Sequence, residues 1–414
     1  MLPAPAGGVA PLTPHRECVA GSAAAALEAT HIGGTVIVRS QSAPTAKRVT
    51  RRWLRWSSAR GPAVVALALA ALLLAAAGCG GSGTSTTSSG EGPAAGPAVT
   101  KIGVVTPEEA GDYGWNQEGA EAARALADEL GVGVEVADGA GYEDVGPVLR
   151  ELADGGAGFL IAHAGGYATQ AMQVAEELNV PVVVIGAFEQ GLIPGLSQDV
   201  ETHAEQGAYL AGFLAATMSK TGTLGIVISA DDENWVKMAG GFVAGARHAD
   251  PSEKILMAQI GQAGYADAAG GKRVTESVIA GGADIIFGMG DGSSFGMLQA
   301  VETATPPAGA DKVWFIDVIG DKTSIDEKGV ILTSVRWDYL PIFRQSYDAL
   351  AAGTFGDEIL YLSVANDSIR LLRTDFIPAD VWAEVEKIKA DVVSGAVEVP
   401  EARDKAAVEA LIAG

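Results

Sequence analysis

From residue 99 onward the chain alternates short, near-continuous apolar runs with longer stretches whose apolar positions recur at helical spacing. The runs at 101–106 (KIGVVT), 132–136, 159–162, 182–186, 224–229, 255–260, 285–288 and 313–317 read as strands. Between them, 116–131 places Ala120, Ala123, Leu126 and Leu130 on one helical face, and 202–218 does the same with Tyr209, Leu210, Phe213 and Leu214. Further helices are predicted over 235–248, 266–280 and 295–304. Strands that are apolar throughout, rather than at every second position, belong to sheets buried on both faces. The expected fold class is therefore α/β, with parallel sheets covered by helices on both faces. About ten strands are generous for one open sheet and comfortable for two.

In open α/β sheets ligands bind outside the carboxyl ends of the strands. Those ends carry a particular set here. Asp112, Tyr113, Trp115 and Asn116 follow the first strand. His163, Gly165, Gly166 and Tyr167 follow the third, and Phe188 and Glu189 the fourth. In the second half, Asp231, Asp232, Asn234 and Trp235 follow Ser229; Asp291, Ser293 and Ser294 follow Gly288; Asp317 ends the last. Two such sheets facing each other would enclose a polar, aromatic-walled cleft for a small neutral ligand. Asn116, Asp232 and Ser294 serve equally well as helix caps. Trp115 and Trp235, at loop–helix junctions, are less natural as core.

The first 98 residues change the picture. Arg48, Arg51, Arg52, Arg55 and Arg60 precede an apolar run over 63–77, which ends in Ala76-Ala77-Gly78-Cys79. A basic region, a short apolar stretch and a small-residue cut site describe an export signal over 49–78. The cysteine at the cut resembles a bacterial lipobox, in which the thiol of Cys79 is lipidated and anchors the protein to a membrane. Residues 79–98 form a Gly/Ser/Thr tether, and 1–48 read as an over-extended start. From Cys79 onward the chain holds 49 acidic and 20 basic side chains, a net of −29, against −23 for the whole. Such a surface repels polyphosphates, so nucleic acid is not an expected partner. Beyond Cys79 there is no cysteine, hence no disulfide, and the remaining 300-odd residues must be held by their core.

Catalytic chemistry finds little support. Gly292-Ser293-Ser294-Phe295-Gly296 matches G-x-S-x-G between a strand and a helix, but no histidine follows His248 to act as base. The same segment suits a turn whose N–H groups and hydroxyls face a ligand. His163, His203 and His248 have no paired metal-ligand spacing. Neither a G-x-G-x-x-G nor a Walker A match is present. No cofactor, metal or catalytic residue is expected.

Several segments resemble the basic membrane protein (BMP) family, lipoproteins that act as purine-nucleoside receptors of ABC importers. The first is Gly111-Asp112-Tyr113-Gly114-Trp115-Asn116-Gln117 followed by Glu118-Gly119. The second runs Tyr209-Leu210-Ala211-Gly212-Phe213-Leu214-Ala215-Ala216, then Ser219-Lys220-Thr221-Gly222. Gly240-Gly241-Phe242-Val243-Ala244-Gly245-Ala246, Gly281-Gly282-Ala283-Asp284-Ile285-Ile286-Phe287 and Leu332-Thr333-Ser334-Val335 with Arg336 and Asp338 complete it. The resemblance covers roughly 99–365 and implies a two-lobed type I periplasmic-binding-protein fold with a crossover hinge. The lobes are expected as 99–218 with about 320–352, and 219–319 with about 353–375, followed by a helical segment over 376–414. By resemblance Asp112 and Asn116 would bind the base, Trp115 would stand where the family usually has Phe, and Asp317 would bind ribose hydroxyls. Three positions depart from the family: Met238 replaces a stacking Phe, Asp291 a small residue, and Asp317-Val318-Ile319-Gly320 an Asp-x-Asp-Gln motif.

The expected function is that of a lipid-anchored extracytoplasmic receptor, monomeric, that delivers a small ligand to an ABC permease. A purine nucleoside is the first choice and a sugar or other polyhydroxylated solute the second, with a sensor for a signalling partner as the alternative role. The expected ligand-binding set is Asp112, Tyr113, Trp115, Asn116, His163, Tyr167, Trp235, Asp291, Ser293 and Asp317. Trp115→Ala is expected to abolish binding with the thermal midpoint nearly unchanged.

Overall fold

A computed structural model of the protein describes residues 99–414; the extension, export signal, Cys79 and tether expected from the sequence lie outside the described residues. The first half runs β1 (Lys101–Val105), α1 (Trp115–Leu130), β2 (Gly133–Ala137), α2 (Gly146–Asp154), β3 (Phe159–Ala162), α3 (Ala168–Leu178), β4 (Val182–Ile185), β5 (Ser197–Thr202) and α4 (Ala204–Met218). The second runs β6 (Thr223–Ile228), α5 (Glu233–Ala249), β7 (Lys254–Gln259), α6 (Ala268–Ala280), β8 (Ile285–Met289), α7 (Ser294–Thr303), β9 (Trp314–Ile319) and β10 (Ile331–Trp337). The chain ends with α8 (Leu340–Ala352), β11 (Leu360–Leu362), β12 (Ile369–Leu371), α9 (Ala379–Val393) and α10 (Lys405–Ala413).

Two six-stranded sheets share one topology: β11-β5-β4-β3-β1-β2 and β12-β10-β9-β8-β6-β7. Every pairing is parallel except that of β12 with β10. The α/β class expected from the apolar runs is the one observed. The outer face of the first sheet is sealed by α2 and α3, through Leu149, Leu160, Val174 and Val182. That of the second is sealed by α6 and α7, through Val278, Ile286, Met297 and Phe315. The inner faces share one continuous core with α1, α4, α5 and α8. There α4 and α5 pack backbone to backbone. A Cβ on Gly212 would stand 2.0 Å from the Phe242 carbonyl oxygen, and one on Gly245 would stand 1.9 Å from that of Tyr209. Only glycine permits that approach.

The strand allocation near the end corrects the sequence reading. β10, expected with the first lobe, pairs with β9 in the second sheet. β11, expected with the second, pairs with β5 in the first. Helix α4, expected in the first lobe, packs on α5, β10, β12 and α9. The chain therefore crosses between the sheets three times, after β5, β10 and β11. Strand β5 (SQDVET) escaped detection because it is polar. Two of its buried side chains are held by specific bonds: Gln198 donates to the Asp199 and Glu358 carbonyls and accepts from the Gly356 N–H, and Asp199 accepts from the Gly191 N–H.

Candidate functional site

In each sheet the strand order reverses once, between β1 and β3 and between β6 and β8. Such reversals leave a crevice at the strands' carboxyl ends. The loops leaving these strands, with those after β2, β4, β7 and β10, enclose a cavity of about 200 Å³ between the two sheets. Its walls are the rings of Trp115, Tyr142, Phe188, Trp235, Tyr265 and Trp337. Asp232, Asn234 and Asp291 supply its polar side chains, and Gly165, Gly166 and Gly186 part of its floor. A larger open groove of about 680 Å³ lies at the opposite, amino edge of the second sheet, between Thr221, Gly282 and Pro307. It lacks aromatic walls and lies away from the crevice.

Trp115 opens α1 and is locked in place. Its indole N–H donates to the His163 carbonyl at 2.9 Å, while His163 Nε2 meets the Trp115 carbonyl, also at 2.9 Å. A carbonyl only accepts, so Nε2 carries the proton. His163 Nδ1 is buried without a partner among the described residues. Burial pushes the imidazole pKa down to about 4, against the opposing pull of the Trp115 carbonyl. The two rings lie 4.6 Å apart, and Trp337 and Tyr339 each meet Trp115 edge-on at 5.9 Å. His163 is thus a buried neutral support behind Trp115 and does not line the cavity.

The expected acidic and amide residues divide sharply. Asp112 is committed to α1: its two oxygens accept the N–H groups of Gly114, Asn116 and Gln117 and the Asn116 side-chain amide, at 2.9–3.1 Å. Asn116 also accepts from the Glu108 N–H. Asp232 caps α5 through Asn234 and Trp235 and accepts the Tyr265 hydroxyl at 2.9 Å. Trp235, almost wholly buried, donates to Ser229 Oγ at 3.0 Å. Tyr167 is buried against the outer helices of the first sheet and donates to the Gly141 carbonyl. Ser293 Oγ is buried without a partner among the described residues, and Ser294 Oγ donates back to the Gly290 and Asp291 carbonyls. Of the ten expected residues, Trp115, Trp235 and Asp291 line the cavity.

Asp317 is fully buried and pairs with Lys322 Nζ at 2.8 Å, its other oxygen lacking a partner among the described residues. Burial raises its carboxyl above the ordinary range, while Lys322 pulls the other way. Lys322, which the sequence did not suggest, also donates to the Tyr113 carbonyl at 2.9 Å and so ties the second sheet to the first β1–α1 loop. Further ties bridge the two sides of the cleft. Arg336, on β10, meets Glu118 of α1 at 2.9 Å, and Tyr142 stacks on Tyr265 at 6.1 Å. A Cβ on Gly320 would stand 1.9 Å from the Tyr113 carbonyl oxygen. Tyr142, Tyr265 and Trp337, absent from the expected set, stand at or after the carboxyl ends of β2, β7 and β10, where the same strand-end rule applies.

The motif residues outside the cavity also find a purpose. Asp284 accepts the Ser219 and Thr221 hydroxyls and the N–H groups of Lys220 and Thr221, which shapes the turn entering β6.

Comparison with known proteins agrees with this architecture. Residues 99–403 match the Bmp family, described as PnrA-like ABC transporter substrate-binding proteins. Basic membrane protein D of Borreliella burgdorferi (strain JD1) is 23% identical over 296 residues, covering 70% of this chain and 84% of that protein. The ABC transporter nucleoside-binding protein BmpA of Lactococcus lactis subsp. cremoris is 26% identical over 205 residues, 47% of this chain and 58% of that protein. Among solved structures, an ABC transporter solute-binding protein from Conexibacter woesei superposes with a TM-score of 0.61 at 22% identity, covering 74% of this chain and all of that one. A second, from Aeropyrum pernix, gives 0.64 at 17%, with 76% and 97% covered. Both support the fold. The chain belongs to the Bmp family of PnrA-like ABC transporter substrate-binding proteins.

Proposed function

We propose that this protein is the lipid-anchored, extracytoplasmic receptor of an ABC importer, and that it captures a purine nucleoside in the cleft between its sheets for delivery to a membrane permease. The observation that carries the ligand reading is the cavity itself: three tryptophans and three other rings surround a small space with few polar groups. A flat base stacks well on such faces. The nucleoside-binding name of the lactococcal relative points the same way. Anchoring rests on Cys79 and its flanking sequence. Ligand would select the closed arrangement, whose surface the permease reads. The receptor acts as a monomer, without cofactor, metal or nucleic acid. Its ligand-binding residues are Trp115, Trp235 and Asp291, joined by Tyr142, Phe188, Asp232, Asn234, Tyr265 and Trp337. Asp112, Tyr113, Asn116, His163, Tyr167 and Ser293 hold the frame, and Asp317 with Lys322 stands next to it.

The test is a thermal-shift screen of the purified protein against nucleosides, free bases and common sugars. A ligand at 100 times its dissociation constant adds about 2.7 kcal/mol, a clear rise in midpoint. Shifts with purine nucleosides alone support the reading. Shifts with sugars alone would transfer the cleft to polyhydroxylated solutes, for which tryptophan faces and carboxylates are equally suitable.

A further inference from the structure

Among the described residues, Asp291 is the one carboxylate in the cavity wall that no other residue uses. Asp232 spends its oxygens on two backbone N–H groups and the Tyr265 hydroxyl. Asp112, behind the wall, spends its own on four N–H donors. Asp291 as a residue is 7% exposed, and its carboxylate oxygens have no hydrogen-bond partner among the described residues. Its Oδ1 and the Oδ2 of Asp112 each lie 3.6 Å from the Cβ position of Gly114, so the two carboxylates converge on one spot from opposite sheets. Among the described residues, no lysine, arginine or histidine lines the cavity. Lys322, which faces this region, is engaged by Asp317 and the Tyr113 carbonyl. A carboxylate buried without donors is costly, and the cost is relieved when a ligand brings them.

Resting on the nucleoside reading above, we propose that Asp291 is a specificity-determining residue that accepts two N–H donors from one edge of the base, and so selects guanosine. Guanine presents N1–H and the N2 amine side by side, the spacing that a carboxylate's two oxygens accept as a fork. Hypoxanthine keeps N1–H but has C–H at position 2, which leaves one oxygen bare. Adenine offers its amine beside a ring-nitrogen lone pair, which faces the second oxygen with like polarity. Burial and the nearby Asp112, Glu108 and Asp232 hold the Asp291 carboxyl well above its usual range, with Lys322 opposing. The hydroxyls of Tyr142 and Tyr265, on the same side of the cavity, are turned to Glu108 and Asp232. Paired donors therefore also help to draw the proton from Asp291, and binding of guanosine should strengthen as pH rises through its titration.

The experiment is titration calorimetry at pH 8 of the purified protein with guanosine, inosine and adenosine, for the native chain, Asp291→Asn and Asp291→Ala. Guanosine is expected to bind the native protein about 10–100-fold more tightly than inosine, the contribution of one hydrogen bond to a charged acceptor. Both variants should bring the two ligands to within a few-fold of each other, mainly by weakening guanosine. Equal binding of guanosine and inosine to the native protein, or a preference that survives in both variants, overturns this inference and leaves the nucleoside reading standing. If no nucleoside binds at all, the nucleoside reading fails and takes this inference with it.

Discussion

His163 gives the sharpest link between the site and the stability of the fold. In the folded protein its ring is wholly buried, bonded to the Trp115 carbonyl through Nε2, with Nδ1 bare and a pKa near 4. In the unfolded chain an imidazole takes its proton near pH 6.5. Between those values the unfolded state binds more protons, so stability falls as pH drops from 6.5 towards 4 and the loss levels off below. The gap is worth about 3 kcal/mol, most of it expressed between pH 7.5 and 4. Glu201 and Glu253 act in the opposite sense. Burial raises each to about 7, above its unfolded value, so their contribution is present in acid and is lost as pH rises. The absolute profile mixes these effects, and the difference from a variant removes them. His163→Gln keeps an amide N–H for the Trp115 carbonyl and cannot titrate. Urea unfolding of both proteins at steps from pH 7.5 to 4 should show the native chain losing about 3 kcal/mol more than the variant. Parallel profiles, or a steeper loss in the variant, would refute a buried neutral His163.

Two further substitutions probe the cleft. Trp115→Ala should weaken ligand binding at least tenfold and, contrary to the expectation from sequence, should also lower the thermal midpoint. The indole makes a hydrogen bond to His163 and packs on Trp337 and Tyr339, so its loss costs about 2 kcal/mol or more, read by urea titration without ligand. Gly320→Ala places a methyl against the Tyr113 carbonyl, which strains the contact across the cleft by about 1–3 kcal/mol while the outer-face packing of each sheet is untouched. Calorimetry should show roughly 5–150-fold weaker binding, and small-angle scattering a larger radius of gyration, with unchanged binding speaking against closure at Gly320.

The α/β class was legible because strands such as 101–106 and 285–288 are apolar on both sides, which only a sheet covered on both faces requires. The two-sheet count followed from the number of such runs. The crossings between the sheets were not legible. Whether β10 pairs with β9 or joins the first sheet depends on contacts between residues far apart in sequence, and its apolar pattern is the same either way. Strand β5 was hidden for a different reason: Gln198 and Asp199 are buried through specific hydrogen bonds, which periodicity does not register. Along the cavity wall, the rule of strand carboxyl ends found Trp115, Trp235 and Asp291. It could not separate Asp112, whose oxygens are all used by the helix it starts, from Asp291, whose oxygens are free. Spacing is similar in the two cases, and what differs is whether backbone donors stand within reach. Lys322 left no trace because a lone lysine after a strand reads as surface, whereas here it is buried against Asp317.

The central claim is that a nucleoside occupies the cavity between the sheets, and the most direct measurement is a crystal structure of the protein grown with guanosine. The expected result is density for a base stacked among Trp115, Trp235 and Trp337, with its N1 and N2 edge within hydrogen-bond distance of Asp291. An empty cavity at saturating guanosine, or a nucleoside bound elsewhere on the protein, would contradict the account.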